Sequence, residues 1–111
     1  RVMLAQLSPT ELQHYFDTVE RSPYTEFTIT AEHALREQIQ QVQEQGYALA
    51  DQEIELNVFA IGVPVRTASG KICSGLNVSV RGSQIPMKKL VDDYLAPMQA
   101  AAEKIGRFLV F

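Results

Sequence analysis

The 111-residue chain has no tryptophan, a single cysteine and no long apolar run. A lone cysteine, Cys73, cannot form an internal disulfide, which fits the reducing environment of the cytoplasm. A membrane-spanning helix needs about 18 consecutive apolar residues. The sequence contains no such stretch, so we expect no membrane association. This length suffices for one small domain around one core and leaves no room for two.

Positive charge is also scarce. Ten basic residues stand against thirteen acidic ones, for a net charge of −3. Lys88 and Lys89 form the only adjacent basic pair. Neutralising the phosphates of a nucleic acid requires concentrated positive charge. We therefore expect these residues not to bind DNA or RNA directly.

Two neighbouring stretches, 58–65 and 72–80, alternate with the period of two that is typical of β-strands. Between them, Ser69-Gly70 predicts a tight hairpin turn. Folding the chain there predicts one apolar face, on which three residue pairs meet: Phe59 with Val80, Ile61 with Val78, and Val63 with Leu76. This face is predicted to belong to the hydrophobic core.

The opposite face of the predicted hairpin carries small residues and almost no charge. It pairs Ala60 with Ser79, Gly62 with Asn77, and Pro64 with Gly75. The solvent face of an antiparallel sheet is normally polar, so something is expected to approach this one closely. It is either covered by a packed helix or forms the floor of a ligand pocket, in which Asn77 and Ser79 would supply hydrogen bonds. The alternation leaves both interpretations open.

Helices are predicted before and after the hairpin. Ser8 as N-cap, Pro9 and Glu11 form a capping-box signal, and an inward apolar face follows it at Leu12, Tyr15, Phe16 and Val19. Thr30 is expected to cap a second helix, which would end at Gly46 in a left-handed conformation. A short strand is predicted at 47–49, followed by an acidic turn or edge strand that contains Asp51, Glu53 and Glu55. For these carboxylates a solvated acidic turn is favoured over a role in acid–base catalysis.

The final helix is predicted to open at Ile85-Pro86 and to extend to about residue 109. Its apolar stripe is predicted from the helical spacing of seven residues: Leu90, Val91, Tyr94, Met98, Ala101, Ile105 and Phe108. Pro97 lies inside this pattern and predicts a kink or a division into two helices. The resulting fold class is mixed α/β, with two helices, an antiparallel sheet and a long helix.

The sequence offers no catalytic or metal-binding constellation. His14 and His33 lie on different predicted helices without a second ligand at metal spacing. Cys73 is either an inert buried residue or, sharing parity with Asn77 and Ser79, part of the same cavity. No nucleophile elbow or acid–base set is present. We therefore expect a protein that is not an enzyme and uses no cofactor.

An ordered set of short motifs carries a family resemblance. The set consists of Gln45-Gly46-Tyr47-Ala48-Leu49, Asp51-x-Glu53, Ala60-Ile61-x-Val63-Pro64-Val65-Arg66, Ala68-Ser69-Gly70-Lys71 and Leu76-Asn77-Val78-Ser79. It resembles the C-terminal effector-binding domain of IclR-type bacterial transcriptional regulators. The segments that begin at Ser8 and at Tyr94 resemble the branch that controls breakdown of aromatic acids through protocatechuate and β-ketoadipate.

The resemblance implies a GAF-like fold, in which helices flank a curved antiparallel sheet. It implies that residues 1–111 form an N-terminally incomplete effector-binding domain of a cytoplasmic regulator that assembles as a dimer or tetramer. DNA would be bound by a winged helix-turn-helix domain outside this chain. The effector of such domains is a small carboxylate, and its contact positions correspond here to Ala50, Ala60, Asn77 and Ser79.

The sequence departs from some relatives at two of these positions. An aspartate stands at the position of Ala50 in some of them, and a cysteine at that of Ala60. Two minimal apolar side chains leave room for a bulkier ligand, such as an aromatic ring. The resemblance also implies that backbone amides and an apolar wall upstream of Arg1 contribute to the pocket. The rival interpretation is an oligomerisation module of the same fold without a ligand of its own.

Overall fold

A computed structural model describes residues 2–82 and 86–109. It contains three α-helices and three strands, preceded by one turn of 3₁₀ helix at Leu4–Gln6: α1 (Pro9–Thr18), α2 (Glu32–Gln45), β1 (Ala48–Asp51), β2 (Val58–Arg66), β3 (Ile72–Arg81) and α3 (Met87–Arg107). The predicted α/β class, with an antiparallel sheet flanked by helices, is confirmed.

The sheet has the order β1-β2-β3, with β2 at its centre and both pairings antiparallel. The predicted hairpin register is confirmed pair by pair, from Phe59 opposite Val80 to Pro64 opposite Gly75. Strand β1 aligns Ala50 with Ala60. The alternation fixes this register because a slip by one residue would turn every core side chain to the other face.

The hairpin turn differs by one residue from the prediction. Its central residues are Ala68 and Ser69, since the Gly70 amide donates to the Thr67 carbonyl at 2.9 Å. Gly70 has φ +87°, a conformation that glycine adopts without strain. A bulge next to this turn leaves Cys73 as an extra residue between the partners of Val65 and Arg66. A bulge of this kind places two residues of one strand opposite one residue of the other.

The bulge also determines where Cys73 points. The Cys73 Sγ lies 3.3 Å from the Val65 carbonyl oxygen, and the side chain packs against the apolar core. The alternative in which Cys73 shares a cavity with Asn77 and Ser79 is therefore wrong. The added residue shifts the alternation by one at this end of β3, so parity counted from Asn77 fails there.

The main core lies between β2 and α3. Ile61, Val63 and Val65 are at most 2% exposed and pack with Met98 and Ala102. Strand and helix approach each other closely at Gly106, where an added Cβ would lie 1.9 Å from the Arg66 carbonyl oxygen. The C-terminal half of α3 rests on the sheet because position 106 has no side chain.

Helix α3 is one continuous helix that includes Pro97, so the predicted alternative of two separate helices is wrong. Pro86 is its N-cap, whereas Ile85 lies outside the described residues. The buried stripe is Leu90, Met98, Ala102 and Gly106. The predicted stripe fails at three positions, which are exposed: Tyr94, Ile105 and Phe108. The close approach at Gly106 sets the rotation of the helix and turns these side chains outward.

Helix α1 begins as predicted. The Glu11 amide donates to the Ser8 Oγ at 3.2 Å, and the Ser8 amide donates to the Glu11 carboxylate at 3.0 Å. Phe16 packs with Leu35 and Ile39 of α2 in a second apolar cluster. Val19 was predicted to lie on the same inward face, but it is 43% exposed because it lies beyond the last turn of α1.

Helix α2 ends as predicted at Gly46, whose φ is +83°. The prediction that Thr30 caps this helix is wrong, since Ala31 occupies the N-cap position and no side chain caps the helix. The Thr30 carbonyl instead accepts a hydrogen bond from the Arg21 Nε at 2.7 Å.

Candidate ligand site on the small face of the sheet

The face of β2 and β3 turned away from α3 is formed by Ala60, Gly62 and Pro64 with Gly75, Asn77 and Ser79. We call it the small face. Gly62 is buried on it beneath the N-terminal segment, and the Val2 Cγ2 lies 3.7 Å from the position of a Gly62 Cβ. Val2, which covers Gly62, precedes the 3₁₀ turn at Leu4–Gln6, so a packed helix is not what covers this position, and use of the face by a ligand stays a prediction. A segment packs over part of the small face, and a cavity lies over the rest.

This cavity, which we call the small-face cavity, has a volume of about 370 Å³. It is lined by residues of the N-terminal segment, of all three strands and of the turn after β1: Val2, Met3, Ala48, Leu49, Ala50, Glu53, Ile54, Ala60, Ile61, Gly62, Gly75, Asn77 and Ser79. All four predicted contact residues are among them. The volume is within the range of small-molecule sites. The structure brings the four residues together, and their role in binding stays a prediction.

Strand pairing explains how residues so far apart in sequence meet. Ala50 aligns with Ala60, and Ala60 aligns with Ser79. Three side chains thus form a row across the sheet, spanning two interstrand spacings or about 10 Å. Asn77 stands two residues before Ser79 and therefore points to the same face.

Asn77 and Ser79 are exposed, and Ala50 and Ala60 are half-buried. Neither the Asn77 amide nor the Ser79 hydroxyl makes a hydrogen bond with another described residue. Both groups are accessible to a ligand. No lysine or arginine is among the described residues that line the cavity, so the side-chain hydrogen-bond donors of this lining are the neutral groups of Asn77 and Ser79.

The acidic turn contributes two lining residues that were not predicted from the sequence, Glu53 and Ile54. The prediction of a solvated acidic turn is wrong for Glu53, which is only 8% exposed and lines the cavity. The turn reverses through Gln52 and Asn57, with φ of 57° and 63°. Gln52 and Asn57 are polar residues of the kind that occur in turns, so the turn itself could be predicted. The spacing of the three carboxylates does not indicate which of them is buried.

The third carboxylate of this turn has a different role. The Arg81 guanidinium donates two hydrogen bonds to Glu55, at 3.0 and 3.1 Å. This contact lowers the pKa of the Glu55 carboxyl and raises the pKa of Arg81. Both groups lie at the surface, so the pair joins the turn to β3 without burial of charge.

A second hollow of about 520 Å³ lies along the C-terminal half of α3. Its cationic side chains already have partners. The Arg66 Nη1 donates to the Gly70 carbonyl at 3.1 Å, and Arg107 pairs with Glu103 at 2.8 Å. The small-face cavity is the better candidate because its polar groups are accessible.

Other kinds of site find no support in residues 2–82 and 86–109. No three His, Cys, Asp or Glu side chains in these ranges are grouped so that they could hold a metal ion. His14 and His33 are exposed on α1 and α2. In the same ranges, no helix combines the length and hydrophobicity needed to span a bilayer.

Comparisons with known proteins place the chain in a family. Residues 1–107 match the family described as bacterial transcriptional regulator IclR C-terminal. The Pca regulon regulatory protein of Pseudomonas putida is 31% identical over 105 residues, which are 95% of this chain and 36% of that protein. The transcriptional regulator KdgR of Escherichia coli is 34% identical over 96% of this chain and 40% of its own length.

A solved structure shares the fold closely. It is the inducer-binding domain of the transcription factor PobR from Acinetobacter, a double mutant in complex with 3-hydroxybenzoic acid. The two structures superimpose with a TM-score of 0.90 and 28% identity, over 97% of this chain and 62% of that one. The chain spans only 36% and 40% of the length of the two curated regulators. It belongs to the IclR C-terminal domain family of bacterial transcriptional regulators.

Proposed function

We propose that this chain is the effector-sensing domain of a transcriptional regulator and binds a small carboxylate in the small-face cavity. The observation that carries the proposal is the convergence of Ala50, Ala60, Asn77 and Ser79 on that cavity. The complex of the PobR domain with 3-hydroxybenzoic acid supports a ligand of this kind for the fold. On this proposal the chain is a cytoplasmic sensor and not an enzyme.

The chemistry of the lining suggests how the acid would lie. The Asn77 amide and the Ser79 hydroxyl would donate hydrogen bonds to its carboxylate, since bonds to an ionised acceptor are the stronger ones. Ala50 and Ala60 leave space for the body of the ligand. An aromatic acid or a β-ketoadipate-like diacid would fit this arrangement of polar and apolar groups.

A bound acid would act on the elements that enclose the cavity. It would favour the arrangements of the N-terminal segment, of the turn after β1 and of the flanking helices in which its contacts are best. In a homodimer or tetramer, these shifts would change the spacing of DNA-binding domains located elsewhere in the full-length protein. The coupling between ligand and DNA would then be reciprocal.

Thermal unfolding of the full-length protein tests the proposal. Protocatechuate, 4-hydroxybenzoate, 3-hydroxybenzoate, β-ketoadipate and glyoxylate would each be added over a wide concentration range. An acid present at about 100 times its dissociation constant stabilises the folded state by about 2.7 kcal/mol, which is several degrees for a small domain. A shift confined to one class of acid would identify the effector class.

Variants locate the site. Asn77→Leu and Ser79→Ala should abolish or strongly reduce the shift, because they remove the two proposed donors. Ser74→Ala is the matched control, since Ser74 lies on the same strand and does not line the cavity. Unchanged affinity in both site variants would show that the ligand binds elsewhere, and the absence of any shift in the wild type would refute the sensor.

A second candidate function is self-association without a ligand. It is favoured by a set of exposed apolar side chains on the two irregular segments beside the cavity: Tyr24, Phe27, Ile54 and Leu56. Sedimentation of the full-length protein with and without each acid distinguishes the candidates. An oligomer that forms equally in both conditions, together with no melting shift, would support the oligomerisation module.

A further inference from the structure

We propose that Thr25 and Thr28, in the connection between α1 and α2, are positioning residues of the small-face cavity. This inference rests on the proposed effector site and extends it to a segment that does not line the cavity. The two threonines hold the turn that brings Glu53 and Ile54 to the cavity wall, so effector affinity depends on their hydroxyl groups.

The contacts between the two segments are made by hydroxyl groups. The Thr25 Oγ1 donates to the Gln52 carbonyl, and the Thr28 Oγ1 donates to the Glu53 carbonyl. Each hydroxyl also accepts a hydrogen bond from its own segment, Thr28 from the Thr25 amide at 2.9 Å and Thr25 from the Phe27 amide at 3.0 Å. Each hydroxyl therefore uses its proton and one of its acceptor lone pairs in these contacts.

The turn at 52–57 depends on such support. It contains two non-glycine residues with positive φ, Gln52 and Asn57, a conformation that the surrounding structure must maintain. The Gln52 side chain accepts from the Asn57 amide at 3.0 Å. On the β3 side the turn is fixed by the Gly82 amide, which donates to the Asn57 carbonyl at 2.9 Å, and by the Arg81–Glu55 pair.

The threonines support the other side of the turn, where the cavity lies. The carbonyls they bind belong to Gln52 and Glu53, and the cavity is lined by Glu53 and Ile54. Without these hydrogen bonds, Glu53 and Ile54 would be less firmly positioned at the cavity, while the contacts of the turn with Arg81 and Gly82 would remain. A ligand would then have to order the loosened wall when it binds, and the free energy needed for this ordering would lower its affinity.

The experiment measures effector affinity by calorimetric titration of the full-length protein, with whichever acid of the panel gives the largest melting shift. Thr25→Val and Thr28→Val keep the shape of the side chain and remove the hydroxyl. Each is expected to weaken binding about tenfold, because a lost hydrogen bond is worth about that factor. Thr28→Ser keeps the hydroxyl and should restore affinity to within about twofold of the wild type.

Thr18→Val is the matched control. The Thr18 Oγ1 also donates to a backbone carbonyl, that of His14, at 2.7 Å, but it lies at the end of α1. It should lower the melting temperature slightly and leave affinity unchanged. Amide exchange without ligand gives an independent measurement, since the Gln52 and Val58 amides should exchange faster in Thr28→Val and not in Thr18→Val.

The outcomes separate this inference from the proposed function. Wild-type affinity in both valine variants would overturn the positioning role while the sensor proposal stands. An equal loss in Thr18→Val would also overturn it, because the effect would then be general destabilisation. If the wild type binds no acid, both proposals fall together.

Discussion

The side-chain amide of Asn77 lies directly across Gly62 on the neighbouring strand. A Cβ added at Gly62 would lie only 2.4 Å from the Asn77 Oδ1, well inside contact distance. The two residues are register partners, so this proximity is built into the hairpin. Gly62 therefore permits the position from which Asn77 can face the small-face cavity.

Gly62→Ala should reduce effector affinity about tenfold with little loss of stability. The added methyl displaces the far end of a flexible side chain, which costs the fold little, but it moves the proposed donor by more than binding tolerates. Ser74→Ala is the control and should leave affinity unchanged, since Ser74 lies on the same strand as Asn77 and does not line the cavity. Titration of both variants checks the prediction, and wild-type affinity in Gly62→Ala would refute it.

Ala60→Val should select between effector sizes. Ala60 is half-buried and lines the cavity, so two added methyl groups reduce the room for a ring. Aromatic acids should lose at least about tenfold in affinity, whereas glyoxylate should lose less than about threefold. Stability should hardly change, since valine is favoured in strands. An equal loss for all acids would show that size is not what Ala60 controls.

Gly106→Ala should destabilise the fold by about 1–3 kcal/mol, although alanine is the better helix former. The methyl would lie 1.9 Å from the Arg66 carbonyl oxygen, and a backbone atom cannot move aside as a side chain can. Chemical denaturation measures the change. A stabilised Gly106→Ala protein would mean that α3 does not approach β2 at this point.

Acid should weaken the fold through Glu11 and Glu55. The amide and the hydroxyl of Ser8 lower the pKa of Glu11, and Arg81 lowers the pKa of Glu55. Each carboxylate therefore stabilises the folded state above the pKa of the unfolded chain, about 4.3. That stabilisation is lost as the pH falls through the lower folded-state pKa.

Melting curves between pH 7 and pH 3 check this prediction. Glu11→Gln and Glu55→Gln should melt below the wild type at pH 7, and the difference should shrink as the pH falls below about 4. A difference that stays constant across this range would show that the charge of these carboxylates does not stabilise the fold.

The sequence by itself determined the hairpin register, the capping box at Ser8 and the helix end at Gly46. These features depend on the period-two alternation and on short-range hydrogen bonds between neighbours in the chain. The same alternation placed Ala60, Asn77 and Ser79 on one face. Ala50 was added by the family resemblance, since β1 is too short to show a pattern of its own.

Only the tertiary structure decided how the rest packs around that face. The bulge that turns Cys73 toward the core, the rotation of α3 set by Gly106 and the burial of Glu53 all depend on contacts between segments distant in sequence. The hydrogen bonds from Thr25 and Thr28 to the turn at 52–57 are of the same kind. Local periodicity cannot reveal such contacts, because they arise from the close packing of elements whose relative positions it does not define.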